Sequence, residues 1–258
     1  MKKLVASDID GTLLPNGHTH ISQSFFEVIE ELDRMGIIFV AASGRQMPSL
    51  HLLFERVKDK ILFIAENGAY VEYKGETLHE SAMSKSLVRE IVADIGKTPG
   101  CNPVVSTRKY VYLEENAEKI VSEREKGHNY RLQVTDDLFN INEKVYKVTA
   151  CNYDGIHKNV KYFTESWGKF ASVTMSGAVY CDFMDRSVSK GNALGKVLDN
   201  FGLGPDDCIV FGDNYNDISM LDKTNNAFSM AHADDEVKAH TRYVTENVED
   251  TIRKLYNI

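Results

Sequence analysis

The sequence predicts an α/β protein: a doubly wound, Rossmann-like parallel sheet carrying an inserted α+β segment. Three observations predict it. Short, continuously apolar runs at Leu4–Ala6, Ile37–Ala42, Ile61–Ala65 and Cys208–Phe211 read as strands buried on both faces. Amphipathic helical stretches separate the early ones, which is the rhythm of a parallel sheet. Between about residues 83 and 186 the strands alternate polar and apolar residues, the pattern of a sheet with one solvated face, and the apolar runs then resume.

With 258 residues the chain can build one large domain or two modest ones. Its 43% hydrophobic and 26% charged content is that of an ordinary globular protein. A net charge of −8 argues against a nucleic-acid grip resting on broad positive surface. Cys101, Cys151, Cys181 and Cys208 form no C-x-x-C pair, so buried thiols in a reducing compartment are expected rather than a zinc site or a disulfide framework. No signal-peptide pattern follows Met1-Lys2-Lys3 and no apolar stretch is long enough to span a membrane. The expectation is a cytoplasmic protein without nucleic-acid or membrane partners.

In chain order, Leu4 to Ser7 forms a strand that delivers Asp8 and Asp10 to its carboxyl end, where open α/β sheets bind ligands. Two carboxylates this close repel each other unless a cation bridges them or one holds a proton. Ser22 caps a helix running to about Met35 with Phe25, Phe26, Ile29 and Leu32 on one face, and Gly36 stops it. Strand Ile37–Ala42 follows, ending in Ser43-Gly44-Arg45. A helix over Pro48–Val57 leads to strand Ile61–Ala65 and then a hairpin of Ala69–Tyr73 with Thr77–Glu80.

The insert is read as helix Ser84–Ile95, hairpin Val104–Ser106 with Tyr110–Leu113, helix Asn116–Lys126 and strand Arg131–Val134. A short helix near Leu138, strand Val145–Cys151, helix Ile156–Trp167 and the pair Phe170–Met175 with Ala178–Phe183 complete it. Ser189-Lys190-Gly191 opens a helix that runs to Phe201, with Gly202 after it. A lysine there sits at the unfavourable end of the helix dipole and calls for an anion or open solvent. Strand Cys208–Gly212 ends in Asp213-Asn214-Tyr215-Asn216-Asp217, a tight acidic turn whose hard oxygens suit Mg²⁺. Strand Ala227–Met230, helix Asp234–Ala239, strand Tyr243-Val244 and a last helix through Leu255 close the chain. His18 and His20 lack a third ligand and read as loop histidines.

Asp8-Ile9-Asp10-Gly11-Thr12 resembles the first motif of the haloacid dehalogenase-like (HAD) superfamily, and Ser43-Gly44, Lys190 and Gly212-Asp213-x-x-Asn216-Asp217 resemble its later motifs. The α-β-β, α-β-α-β, α-β-β order of the insert resembles the C2B cap of subclass IIB, the Cof-type sugar phosphatases. The resemblance implies a HAD core over residues 1–82 and 187–258 and a substrate-specificity cap over 83–186. It also implies a Mg²⁺-dependent phosphomonoesterase for small phosphorylated metabolites such as sugar phosphates. Asp8 would be the nucleophile that forms a phosphoaspartate, Asp10 the acid and base, and Lys190 the neutralising cation. Ser43, Gly44, Lys190 and Asn216 would hold phosphate. Mg²⁺ would be bound by the Asp8 and Asp213 carboxylates and the Asp10 backbone carbonyl, with Asp217 behind them.

The chain departs from the usual pattern at Ala231-His232, Thr251-Ile252 and Asp182, where Gly-Asn, Gly-Val and Glu are common. Arg45 is left between a substrate contact and a solvated helix start. Two alternatives use the same residues: a phosphosugar mutase, and a small-ligand binding module without turnover.

Overall fold

Alternation along the buried strands decides the two faces of the first sheet. In the computed structural model, which describes residues 3–14, 18–115, 117 and 131–258, β1 (Leu4–Asp8) has all five residues buried. Leu4 and Ala6 join one apolar cluster with Val40, Ala42, Leu62, Ile64, Leu194, Val197, Val210 and Met220. Residues of opposite parity face the other way, where Phe25 meets Phe39 edge-on with ring centres 5.4 Å apart. Phe54 meets Phe63 there at 6.0 Å. Burying one such ring contributes roughly 1.5–3 kcal/mol, so both faces are well supported.

The elements run in order as β1, helix Gln23–Arg34, β2 (Ile38–Ala42), helix Met47–Leu53, β3 (Leu62–Ala65), β4 (Tyr70–Tyr73) and β5 (Glu76–Glu80). Helix Lys85–Lys97, β6 (Asn102–Thr107), β7 (Val111–Leu113), β8 (Leu132–Val134), β9 (Val145–Cys151) and helix His157–Trp167 follow, then β10 (Ala171–Met175) and β11 (Tyr180–Asp185). Helix Lys190–Phe201, β12 (Cys208–Gly212), the one-turn helix Ile218–Leu221, β13 (Ala227–Met230), the one-turn helix Asp235–Lys238, β14 (Tyr243–Thr245) and helix Val248–Tyr256 follow. The first helix is capped as its sequence requires, Ser22 accepting from the Phe25 backbone N–H at 3.1 Å.

The chain divides into two units. One comprises Met1–Arg45, Leu50–Glu80 and Ser189–Ile258; the other comprises Gln46–Ser49 and Ser81–Val188. The first holds an eight-stranded sheet in the order β14-β13-β12-β1-β2-β3-β4-β5. Its strands from β14 to β3 are parallel, and β4 and β5 add antiparallel. This is the doubly wound α/β sheet expected.

The second unit is a six-stranded sheet in the order β10-β11-β9-β6-β7-β8, antiparallel except where β7 meets β8. Helices Lys85–Lys97 and His157–Trp167 bury Val88, Ile91, Val92, Ile95 and Phe163 against one of its faces. Gln46 belongs here through its amide, which donates to the Thr107 and Tyr110 carbonyls at 3.2 and 3.3 Å.

Some boundaries differ from expectation. The helix expected to reach Val57 ends at Leu53, because the following residues close four-residue turns, Val57 N–H on Phe54 C=O and Lys60 N–H on Val57 C=O, that keep Phe54 and Val57 buried. Strand β6 starts two residues early, at Asn102, since β9 is long enough to pair with it to Cys151. The late helix shortens to Asp235–Lys238. The helix expected over Asn116–Lys126 lies outside the described residues.

Candidate active site

Three parallel strands end side by side. Ser7 on β1 is in register with Phe211 on β12, and Asp8 with Ala42 on β2. The residues immediately beyond these ends are therefore neighbours: Asp8 itself, Ser43-Gly44 after β2, and Asp213 after β12.

Lys190 stands at the centre. Ser189 caps its helix by accepting from the Asn192 N–H at 3.0 Å, and Lys190 is the first helical residue. Its ammonium is buried, donates to Asp217 Oδ1 at 2.6 Å and pairs with Asp8 Oδ1. Burial alone would lower the Lys190 pKa, but the Asp217 and Asp8 carboxylates outweigh it and hold the group above its ordinary value. The helix can start this close to the acidic loop because residue 191 is glycine: a Cβ there would lie 1.8 Å from the Ser219 carbonyl oxygen.

Asp217 is held from both sides. Its Oδ2 accepts the Asp213 and Asn214 backbone N–H groups at 3.1 and 3.0 Å, closing the turn that opens with Asn214, while Oδ1 takes Lys190. Asp213 in turn accepts from Thr12 Oγ1 at 2.6 Å, and His232 Nε2 lies 3.6 Å from its other oxygen.

Asp8, Asp213 and Asp217 form an acidic group in which one oxygen from each lies within 4.8 Å of the others. Burial pushes the Asp8 carboxyl well above the ordinary carboxylate value, Asp217 and Asp213 add to it, and Lys190 opposes. Asp213 is likewise raised, first by burial, against the hydrogen bond from Thr12. A divalent cation fits this donor set. It consists of hard oxygens with an excess of negative charge over the single lysine, and Asp217 is already held by Lys190 and two N–H groups, so Asp8 and Asp213 are the carboxylates that face the need.

Asp10 is not part of that group. Its side chain is 48% exposed and takes a two-pronged ion pair from Arg45, with Nε on Oδ2 at 2.8 Å and a second guanidinium nitrogen on Oδ1 at 2.5 Å. Arg45 is itself buried, so it is neither a solvated helix start nor an open cation. Ser43 is buried, and its hydroxyl oxygen accepts the Arg45 backbone N–H at 3.1 Å. Asn216 donates through Nδ2 to Asn67 Oδ1 at 3.1 Å.

Thus the structure brings buried Asp8, Lys190 and Asp217 together with partly exposed Asp213 into one group, Asp10 with Arg45, and Asn216 against Asn67. Asn67 and Thr12 carry no role in the sequence reading. Thr12 could have been found from its place in the first motif, whereas Asn67 offers no local signal beyond an Asn-Gly turn. His18 and His20 take no part: His20 pairs with Thr19 in an exposed loop.

Comparison with known proteins adds lineage to this geometry. The chain is 29% identical over 249 residues to a 5-amino-6-(5-phospho-D-ribitylamino)uracil phosphatase of Escherichia coli, covering 93% of this chain and 89% of the relative. A crystal structure from Eubacterium rectale superposes with a TM-score of 0.89 at 29% identity, covering 98% and 99% of the two chains. The structure of a HAD subclass IIB sugar phosphatase shares the fold with a TM-score of 0.83 at 21% identity, over 99% and 100%. A family model described as haloacid dehalogenase-like hydrolase matches residues 5–252, and the chain belongs to that family.

Proposed function

We propose that this protein is a Mg²⁺-dependent phosphatase that hydrolyses small phosphorylated metabolites of the sugar-phosphate kind through a phosphoaspartate on Asp8. The observation that carries the reading is the Lys190 ammonium held between Asp8 and Asp217 at the carboxyl end of β1. A carboxylate beside a fixed cation can approach a phosphate dianion that would otherwise repel it. The name of the E. coli relative specifies a phosphoribityl compound, which supports the substrate class.

In the first step an Asp8 oxygen bonds to phosphorus as the bond to the leaving oxygen breaks, and Asp10 gives that oxygen its proton. In the second, Asp10 takes a proton from water, which attacks phosphorus and frees the Asp8 carboxylate. Arg45 engages both Asp10 oxygens in this structure. A guanidinium only donates, so in the acid step one oxygen must leave it to carry the proton while the other stays anchored. Ser43 O–H, Gly44 N–H, Asn216 and Lys190 bind the phosphoryl oxygens. Mg²⁺, held by Asp8, Asp213 and the Asp10 carbonyl, would neutralise charge on the phosphoryl group. Choice of leaving group is assigned to residues 83–186.

The test is phosphate release from a panel of sugar phosphates and a chromogenic phosphomonoester, with Mg²⁺ or a chelator, for the parent protein and Asp8→Asn. Metal-dependent release that Asp8→Asn abolishes supports the reading. A folded, Mg²⁺-loaded protein with no turnover on any substrate overturns it.

A further inference from the structure

Among the described residues, Glu66 and Asn67 are consecutive non-glycine residues with positive φ, 49° and 55°. Left-handed backbone is unfavourable for residues with a Cβ, asparagine being among the most tolerant, and two in succession persist only where the surroundings hold them. They follow β3, whose end lies beside that of β2. The surroundings are specific. Asn67 N–H donates to the Ser43 carbonyl at 3.0 Å and Glu66 N–H to the Arg45 carbonyl at 3.0 Å, so the strained turn is stitched to the Ser43-Gly44-Arg45 loop. The Asn67 side chain then crosses to the acidic loop, where Oδ1 accepts from Asn216 Nδ2 at 3.1 Å. Asn67 is buried, and a Cβ on Gly44 would lie 3.0 Å from its Oδ1.

We infer that Asn67 is a positioning residue: its amide braces the Asn216 amide against the Ser43-Gly44 loop, so that two phosphate-holding loops on β2 and β12 keep one geometry. An amide nitrogen carries two N–H groups. With one on Asn67, the other is pre-aimed, and the amide plane is set before an anion arrives. The left-handed turn is the backbone condition for this reach, since an extended Asn67 would point elsewhere. A Cβ at residue 44 would press on the same amide, which would have to give by a few tenths of an ångström. The assignment rests on the proposed phosphate site but makes a claim that can be read without it.

The test uses Asn67→Gly, which keeps the left-handed backbone without penalty and removes only the amide, together with Asn216→Ala and the double variant. In ligand-free protein, the Asn216 side-chain amide resonance, identified by its loss in Asn216→Ala, is expected at a protected position in the parent and at a solvent-like position in Asn67→Gly. Inorganic phosphate affinity, measured by calorimetry with Mg²⁺ present, is expected to fall roughly tenfold in Asn67→Gly. It should fall no further when Asn67→Gly is added to Asn216→Ala, because the two act as one unit. Both single variants should remain folded, with thermal midpoints lowered only modestly by the loss of one buried amide contact. An unmoved Asn216 resonance, or additive losses in the cycle, overturns the inference. A parent protein that binds no phosphate, with the resonance shift intact, overturns the site reading and the catalytic purpose of the brace while leaving the contact demonstrated.

Discussion

Lys190 Nζ lies 2.6 Å from Asp217 Oδ1, and the two side chains are 1% and 0% exposed. A buried pair of this kind is strongly destabilising to break, because removing one member leaves the other charge in low dielectric. Lys190→Met leaves both Asp8 and Asp217 without their shared cation. It should cost roughly 3–5 kcal/mol of stability in metal-free protein, read by chemical denaturation, and about 10²–10³-fold in kcat. An unchanged denaturation midpoint would contradict the buried pairing.

The acidic group has a pH signature. Burial and mutual repulsion raise the folded-state pKa of Asp8 and Asp213 above the ordinary carboxylate value. For such groups the folded state binds more protons than the unfolded chain, so their contribution to stability is most favourable below the ordinary value and is lost as pH rises through the folded one. Metal-free protein should therefore lose stability over that rise. Mg²⁺, binding only the folded protein, should raise the thermal midpoint more at pH 7.5 than at pH 5. Thermal scans with Mg²⁺ and with chelator check this; equal shifts at both values would contradict it.

Asp10 and Arg45 separate chemistry from metal binding. Because the Asp10 side chain stands outside the Asp8, Asp213 and Asp217 group, Asp10→Asn should leave Mg²⁺ affinity near the parent value while lowering kcat about 10²–10⁴-fold. Arg45→Ala should lower kcat roughly tenfold by loosening that carboxylate. Calorimetry with Mg²⁺ and steady-state rates provide the two readouts.

Gly191 tests the packing that seats Lys190. Gly191→Ala drives a methyl group into the Ser219 carbonyl, and the expected loss is roughly 1–3 kcal/mol, with activity falling as Lys190 is displaced. Gly75→Ala, with nothing within 4 Å of the added Cβ but φ at +80°, is the control for backbone strain alone.

The parts legible from the sequence were those written in local pattern. Continuous apolar runs marked β1, β2, β3 and β12, and dense Asp-Gly or Asp-Asn turns at their ends marked Asp8, Asp10, Asp213 and Asp217. Contacts set by sheet register were not legible. Nothing near Arg45 indicates that it folds 35 residues back onto Asp10, and nothing near Asn67 indicates a partner 149 residues away. The early end of the helix at Leu53 was hidden for a related reason. Burial of Phe54 and Val57 is satisfied equally by helical spacing and by successive tight turns, and the tertiary context chose the turns.

The most direct test of the central claim is to trap the covalent intermediate. In Asp10→Asn the base for hydrolysis is gone, while a chromogenic phosphomonoester with a good leaving group needs no proton to leave, so the first step outruns the second. Acid quenching followed by peptide mass analysis should then find one phosphoryl group on Asp8, matched by a burst of chromophore. Turnover without a burst, or a phosphoryl group on any other residue, would contradict the assignment of Asp8 as nucleophile.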